Sequence, residues 1–272
     1  MPDALHLGPL LIPADRLPIL VGLLLLVVSG EILARRVDRR IGPWAWNAAG
    51  VGIIAARIGY VGEHWAAYWP APLSSLYVWQ GGFDIRWGVA ASLLMTVFLF
   101  RTQPQIFRWL LIPIAIAASA WLAIGRLTAP PVTGIPLPNL SLPQVDGGML
   151  ALQQLRGKPV VLNLWATWCP PCRREMPMLA ETAQRDRAVR FIFANQEESR
   201  AAVAAYLSQL AVKPRTVVLD ANGQLADALH AVGYPTTFFF SRTGHLVATH
   251  TGEISQAALD DRLNQLAPRA GR

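Results

Sequence analysis

Leu17 to Leu33 reads LPILVGLLLLVVSGEIL. A run that apolar has two places to go, a protein core or the hydrocarbon of a bilayer, and about 20 such residues in a helix cross the latter. Three more runs follow: Trp44 to Val61, a shorter one from Trp87 to Phe100, and Trp109 to Ile124. Hydrophobic residues make up 53% of the chain and charged residues 15%, too skewed for a purely soluble protein. The skew lies in the first half; the second half alternates as a globular domain does. A net charge of +7 admits a nucleic-acid partner. The basic residues before Gly134 cluster beside the apolar runs, however, where membrane topology accounts for them, and those after it are nearly balanced by acids. No nucleic acid is expected.

The first run reads as a retained anchor. Only Arg16 precedes it, beside Asp3 and Asp15, and Arg35 and Arg36 follow in place of a small-residue cleavage site. Arginines set the orientation. RRVDRR (Arg35 to Arg40) lies between the first two runs, Arg101 and Arg108 lie between the last two, and the loop from Gly62 to Arg86 has one basic residue. Basic loops stay cytoplasmic. The expectation is an all-α polytopic domain of about four helices in a bacterial inner (cytoplasmic) membrane, with both termini outside and the second half in the periplasm. Trp65, Trp69, Trp79, Tyr60, Tyr68 and Tyr77 in and beside the outer loop suit a membrane interface. Glu31 and Arg57 are ionisable groups within apolar runs and so functional candidates; Glu31 can pair with Arg35, one turn on.

AARIGYVGEHWAAYWP followed by VWQGGFDIRWG resembles part of the prolipoprotein diacylglyceryl transferases, through Arg57, Gly59, Tyr60, Val61, Trp79, Gln80, Gly81 and Gly82. The resemblance covers roughly the first half. It implies lipid contact at Arg57, Tyr60 and Gln80. The family's histidine before a glycine pair is replaced here by Asp84, Ile85, Arg86, Trp87 and Gly88, and its later signature is absent. The expected use is therefore an anchor, a partner dock or a lipid contact.

The expected organisation is a membrane domain at 1–128, a proline-rich spacer at 129–138 (APPVTGIPLP), and an α/β domain at 139–272. Strands are predicted at Val160 to Trp165, Val189 to Ala194, Thr216 to Leu219, Thr236 to Phe240 and Leu246 to Thr251. Helices are predicted at Pro171 to Arg185, Ser199 to Leu210, Leu225 to Val232 and Ser255 to Leu266, with Ser255 as N-cap. A short hairpin around Gly147 and Gly148 precedes them.

The chain has two cysteines, Cys169 and Cys172, in VLNLWATWCPPCRREMP between a strand and a helix. Strand, Cys-x-x-Cys and helix within a βαβ pattern is the thioredoxin-like arrangement. At the helix start, backbone N–H groups and the dipole favour a Cys169 thiolate, which attacks; Cys172, one turn in, resolves the mixed disulfide. Pro170 and Pro171 remove two N–H donors that could have stabilised the thiolate, which makes the pair less oxidising. A zinc site needs further ligands that the chain lacks, so no metal or cofactor beyond the cysteine pair is expected. A structural disulfide closing so small a loop stabilises little.

Glu175 follows Cys172 by three residues and can exchange its proton, although a solvated surface glutamate is the alternative. Arg173 and Arg174 either raise the thiolate fraction or steer acidic partners, or simply face water. Trp168 is assigned to the partner surface and Trp165 to the core. In VGYPTTFFF, a proline directly before a buried strand calls for a cis bond at Pro235.

Together NLWATWCPPCRREMP, GYPTTFFF and LRGKPVVLN resemble the TlpA/ResA family of membrane-anchored thioredoxin-like proteins, over Leu140 to Leu266. The resemblance implies a central mixed sheet flanked by helices and a redox pair at Cys169 and Cys172. It also implies an acidic residue at Glu175, a cis-proline at Pro235, and a substrate surface from Trp168, Pro170, Pro171, Tyr234 and Thr236. The implied activity is reduction of extracytoplasmic protein disulfides, in cytochrome c maturation or respiratory oxidase assembly. With no cysteine in the membrane half, a separate donor of the CcdA or DsbD type has to recharge the pair. A thiol oxidase of the same fold and a lipid-binding or lipid-modifying membrane protein are the alternatives.

Overall fold

The computed structural model describes residues 4–7, 10–13, 16–128 and 134–267. They form two compact units. One holds the described residues up to Leu76 together with 82–128; the other holds Tyr77–Gly81 together with 134–267.

The first unit opens with β1 (Ala4–Leu7) and β2 (Leu10–Pro13), an antiparallel hairpin that an all-α expectation omitted. Its helices are α1 (Leu17–Arg36), α2 (Ile41–Glu63), the single turn α3 (Trp65–Tyr68), α4 (Ile85–Phe100) and α5 (Pro104–Thr128). Asp84 caps α4 by accepting from Arg86 N–H at 2.8 Å, and Pro104 occupies the first turn of α5, where a missing N–H costs nothing. By length and composition, α1 and α5 can cross a membrane; α2 is long enough but not apolar enough along its length, and α4 has only 16 residues. Four crossings are therefore not established by the helices themselves.

Helices α2 and α4 meet through small residues. A Cβ on Gly88 would stand 2.7 Å from Gly52 O, so only glycine allows this approach. Trp44 Nε1 donates to Thr96 Oγ1 at 2.9 Å and Ser92 Oγ to Ala48 O at 2.8 Å across the same seam. Outward faces stay apolar: Leu24 is 60% exposed, Leu94 72% and Phe98 65%. Faces like these belong to a membrane-associated protein.

The second unit is built on a five-stranded sheet in the order β7-β6-β5-β8-β9. In chain order its elements are β3 (Ser141–Pro143), β4 (Met149–Ala151), β5 (Val160–Trp165), α6 (Pro170–Arg185), β6 (Arg190–Gln196), α7 (Arg200–Ser208), β7 (Val217–Asp220), α8 (Gln224–Ala228), β8 (Thr236–Phe240), β9 (Leu246–Thr251) and α9 (Gln256–Leu266). Strands β5, β6 and β7 run parallel; β8 is antiparallel to β5 and β9 to β8. The sheet is mixed and covered on both faces, which is why β5, β7 and β8 are buried throughout.

Period-two alternation divides the core. Val161 and Trp165 face one cluster with Met176, Leu179, Phe193 and Leu259, from α6, β6 and α9. Val160, Leu162 and Leu164 face the other, with Leu152, Leu225 and Phe238. By the same alternation Asn163 lies on the α6 side, a polar residue in an apolar row. Ser255 caps α9 by accepting from Ala258 N–H at 3.2 Å.

Two expectations need adjustment. Helix α8 stops at Ala228 rather than Val232, because His230 adopts a left-handed conformation at φ 53 and Ala231 N–H turns back to Ala226 O at 2.9 Å. Of the expected spacer, 129–133 lies outside the described residues. The rest joins the domain: Pro136 bridges His245, Leu137 N–H donates to Gly244 O at 2.7 Å, and the Leu137 side chain is buried.

Candidate active site

Strand β5 delivers the chain to the cysteines. Cys169 is the N-cap of α6, its Sγ accepting from Cys172 N–H at 3.3 Å. Pro170 and Pro171 fill the first two helical positions, so the Cys172 N–H is the first backbone donor the helix can aim at that sulfur. Arg173 N–H is turned to Cys169 O at 3.1 Å. The cysteines are joined as a disulfide with Cα atoms 5.3 Å apart, and both are buried.

The loop before the pair is fixed from the segment that follows β6. Glu198 accepts from Thr167 N–H and from Asn195 Nδ2, each at 2.7 Å, and its other oxygen meets Thr167 Oγ1. Trp165 is fully buried, with its ring 5.4 Å from that of Tyr206. Trp168 is 65% exposed and meets the Tyr234 ring edge-on at 6.1 Å. Pro170 is exposed and Pro171 half-buried. The Tyr234–Pro235 bond is cis, and Pro235 O accepts from Gly252 N–H at 2.8 Å. Thr236, expected on the substrate surface, is buried with its hydroxyl donating to Gly233 O at 2.7 Å. Its position as the first residue of β8 turns the side chain inward.

Glu175 is 2% exposed. Oε1 accepts from Asn163 Nδ2 at 2.9 Å and Oε2 from Ile254 N–H at 2.9 Å. Asn163 is held in turn: it pairs with Thr237 across β5 and β8, and its Nδ2 also donates to Thr237 Oγ1 at 3.0 Å. Burial is the largest influence on the carboxyl and pushes its pKa up to about 8, against the two hydrogen bonds, which favour the charged form. That lies near the ordinary thiol value of about 8.5.

Arg174 does not face water alone. Its Nη2 lies 2.6 Å and its Nε 3.0 Å from Glu253 Oε2. Arg173 lies over the Tyr206 ring at 5.6 Å. Of the three residues expected to contact lipid, Gln80 belongs to this unit and donates through Nε2 to Glu253 Oε1 at 2.8 Å. Arg57 and Tyr60 stay in the first unit. Arg57 donates to Ser75 O and Gly82 O, both at 2.9 Å, and Tyr60 stacks on His64 with centroids 4.2 Å apart. Glu31 meets Trp46 Nε1 at 3.2 Å. Sequence reasoning missed Asn163, Glu198 and Glu253. Asn163 had a signal, a lone amide inside the apolar run VVLNLW.

Residues 133–265 match the Redoxin family, and residues 2–129 match the prolipoprotein diacylglyceryl transferase family. The thiol-disulfide oxidoreductase ResA of Bacillus subtilis is 34% identical over 137 residues, covering 50% of this chain and 76% of that one. The thioredoxin-like protein YneN of the same organism is 32% identical over 131 residues, covering 47% and 76%. A solved thioredoxin-family thiol:disulfide interchange protein from Chlorobium tepidum is 27% identical, covering 49% and 96%, with a TM-score of 0.44. The chain belongs to the thiol-disulfide oxidoreductases of the ResA type, and its first half carries a match to the prolipoprotein diacylglyceryl transferases.

Proposed function

We propose that the protein is a membrane-anchored reductase of extracytoplasmic protein disulfides, of the kind used in cytochrome c maturation or respiratory oxidase assembly. In the reduced protein the Cys169 thiolate attacks one sulfur of a substrate disulfide and expels the other as thiolate. Cys172 gives its proton to the Glu175 carboxylate and attacks Cys169 Sγ. The substrate's second sulfur leaves, and two electrons have passed from the dithiol to the substrate. Trp168, Pro170, Pro171 and Tyr234 form the surface that meets the substrate, and Pro235 presents backbone to it. The observation that carries this reading is the buried Glu175 carboxyl, three residues beyond Cys172 on α6 and held by Asn163 and Ile254 N–H, whose burial raises its pKa to about 8.

The first half anchors the domain and crosses the membrane several times, with the C-terminal unit in the periplasm. Support comes from α1 and α5 and from the placing of the basic turns. Arg40 Nη1 hydrogen-bonds Gln103 Oε1, which brings the α1–α2 and α4–α5 turns to one end of the bundle. Arg35 and Arg36 at the end of α1, Arg39, Arg40 and Arg101 in the turns, and Arg108 near the start of α5 lie around them, so one cytoplasmic face suits both. The first unit has no cysteine, so a separate membrane donor of the CcdA or DsbD type recharges the pair. Re-reduction of the purified protein in vesicles by cytoplasmic-side thioredoxin alone would remove the need for that donor.

The deciding measurement is the redox state of Cys169 and Cys172 in intact cells, by acid quenching and thiol alkylation. A largely reduced pair supports the reductase. A pair that stays oxidised while the donor is present assigns the opposite direction, a thiol oxidase.

A further inference from the structure

Glu253 takes no part in that scheme, yet it is a buried carboxylate beside the site. Three side chains converge on it. Arg174 meets Oε2 through two nitrogens at 2.6 and 3.0 Å, Trp79 Nε1 approaches the same oxygen at 3.3 Å, and Gln80 Nε2 serves Oε1 at 2.8 Å. A carboxylate that far from water is stable only when its lone pairs are met. The next residue is Ile254, whose N–H donates to Glu175 Oε2 at 2.9 Å. Glu253 is thus one peptide from the Glu175 carboxyl, and whatever fixes Glu253 fixes that donor.

Local geometry aims Gln80 at this position. Val78–Gln80 is a 3₁₀ turn with Gln80 N–H on Tyr77 O at 3.2 Å, and Tyr77 stacks on Trp79 with centroids 4.7 Å apart. Gly81 and Gly82 follow at φ 78 and 80, a conformation that side-chained residues rarely adopt, so the chain can leave the turn at once. The amide of Gln80 is buried as a result.

We propose that Gln80, with Trp79 beside it, is a positioning residue for thiol–disulfide exchange, holding the Glu253–Ile254 peptide against Glu175. A segment whose sequence matches a lipid-modifying family is here part of the redox unit. The inference rests on the proton-accepting role proposed for Glu175. The groups facing that carboxyl are Asn163 from β5, itself held by Thr237 of β8, Glu253 and the Ile254 N–H from the β9–α9 connection, and Arg174 from its own helix.

Gln80→Ala removes a donor from Glu253, leaving its negative charge less compensated and the Ile254 N–H less fixed. Both effects raise the proton affinity of Glu175. Glu253→Gln removes the negative charge and lowers it. The test uses the full chain in detergent. The reduced protein reacts with an aromatic disulfide reagent (DTNB), and resolution of the Cys169 mixed disulfide by Cys172 is followed across pH through the released thiolate. Gln80→Ala should move the inflection to higher pH and Glu253→Gln to lower pH, each by about half a pH unit. Inflections that coincide with the parent's, or that move in one common direction, overturn the proposal. If Gln80→Ala does not re-form its disulfide in air, Glu253→Gln carries the test alone, and an unshifted inflection refutes it. Glu175→Gln separates the two readings. Loss of the inflection there with none of these shifts sinks only the positioning role, whereas an inflection that survives Glu175→Gln sinks the role of Glu175 itself.

Discussion

Glu175→Gln should remove a pH dependence from the stability of the redox unit. The carboxyl has an ordinary pKa of 4.5 and a folded value of about 8. The folded state therefore binds the proton more tightly than the unfolded chain. Stability is full below about pH 4.5 and is lost as pH rises through about 8. Between pH 5 and pH 8 this one group removes about 3 kcal/mol, at a slope of about 1.4 kcal/mol per pH unit that flattens toward both ends of the interval. Glutamine has the same shape and no charge. It keeps an oxygen for Asn163 Nδ2 but presents NH2 toward Ile254 N–H, and that mismatch costs about 1–3 kcal/mol at every pH. The variant starts less stable at pH 5 and gains on the parent as pH rises. Hydrogen exchange of β5 amides by mass spectrometry, corrected for intrinsic rates, reads the opening free energy in the intact oxidised protein. Parallel pH profiles for parent and variant would refute the reasoning, because a carboxyl that titrates alike in both states contributes no slope.

Three further outcomes follow from the same contacts. Glu198→Ala strips acceptors from Thr167 N–H and Asn195 Nδ2 and should cost about 2 kcal/mol, read by the same exchange measurement in β6. Trp168→Ala should leave stability within about 0.5 kcal/mol, because the ring is largely exposed, while slowing reduction of a protein disulfide and sparing that of a small reagent. Leu162→Ala, in the centre of β5 with no exposed surface, should lose about 2–5 kcal/mol by the same measurement.

What could be read in advance divides along physical lines. Apolar runs and Cys-x-x-Cys between a strand and a helix are local patterns, and α1, β5, α6 and the cysteine pair emerge from them almost to the residue. Glu175 could be placed near Cys172 because helix periodicity is local too. Its burial could not, since that depends on Asn163 and Thr237 meeting across two strands of opposite direction. Apolar residues continue past Ala228 and so predict a longer α8, while the left-handed turn at His230 that ends it carries no glycine to announce it. The resemblance implies a surface role for Thr236, but β8 is covered on both faces, so every side chain in it is buried whichever way it points.

Gln80 is the sharpest case. Its sequence neighbours carry a resemblance to enzymes that handle lipid, and that resemblance is present in the family match over 2–129. Family patterns report the ancestry of a segment; hydrogen-bond partners are chosen by whatever surrounds it after folding. Glu253 lies 173 positions away in sequence and reads, in TGEIS, as an ordinary polar turn residue. Nothing local marks either as a partner of the other. A buried carboxylate nonetheless requires donors, and Gln80, Trp79 and Arg174 supply them. Local sequence could name the electron-carrying pair, because the two thiols here are close neighbours along the chain. It could not name the side chains that hold the proton acceptor in place, because those need only meet in space.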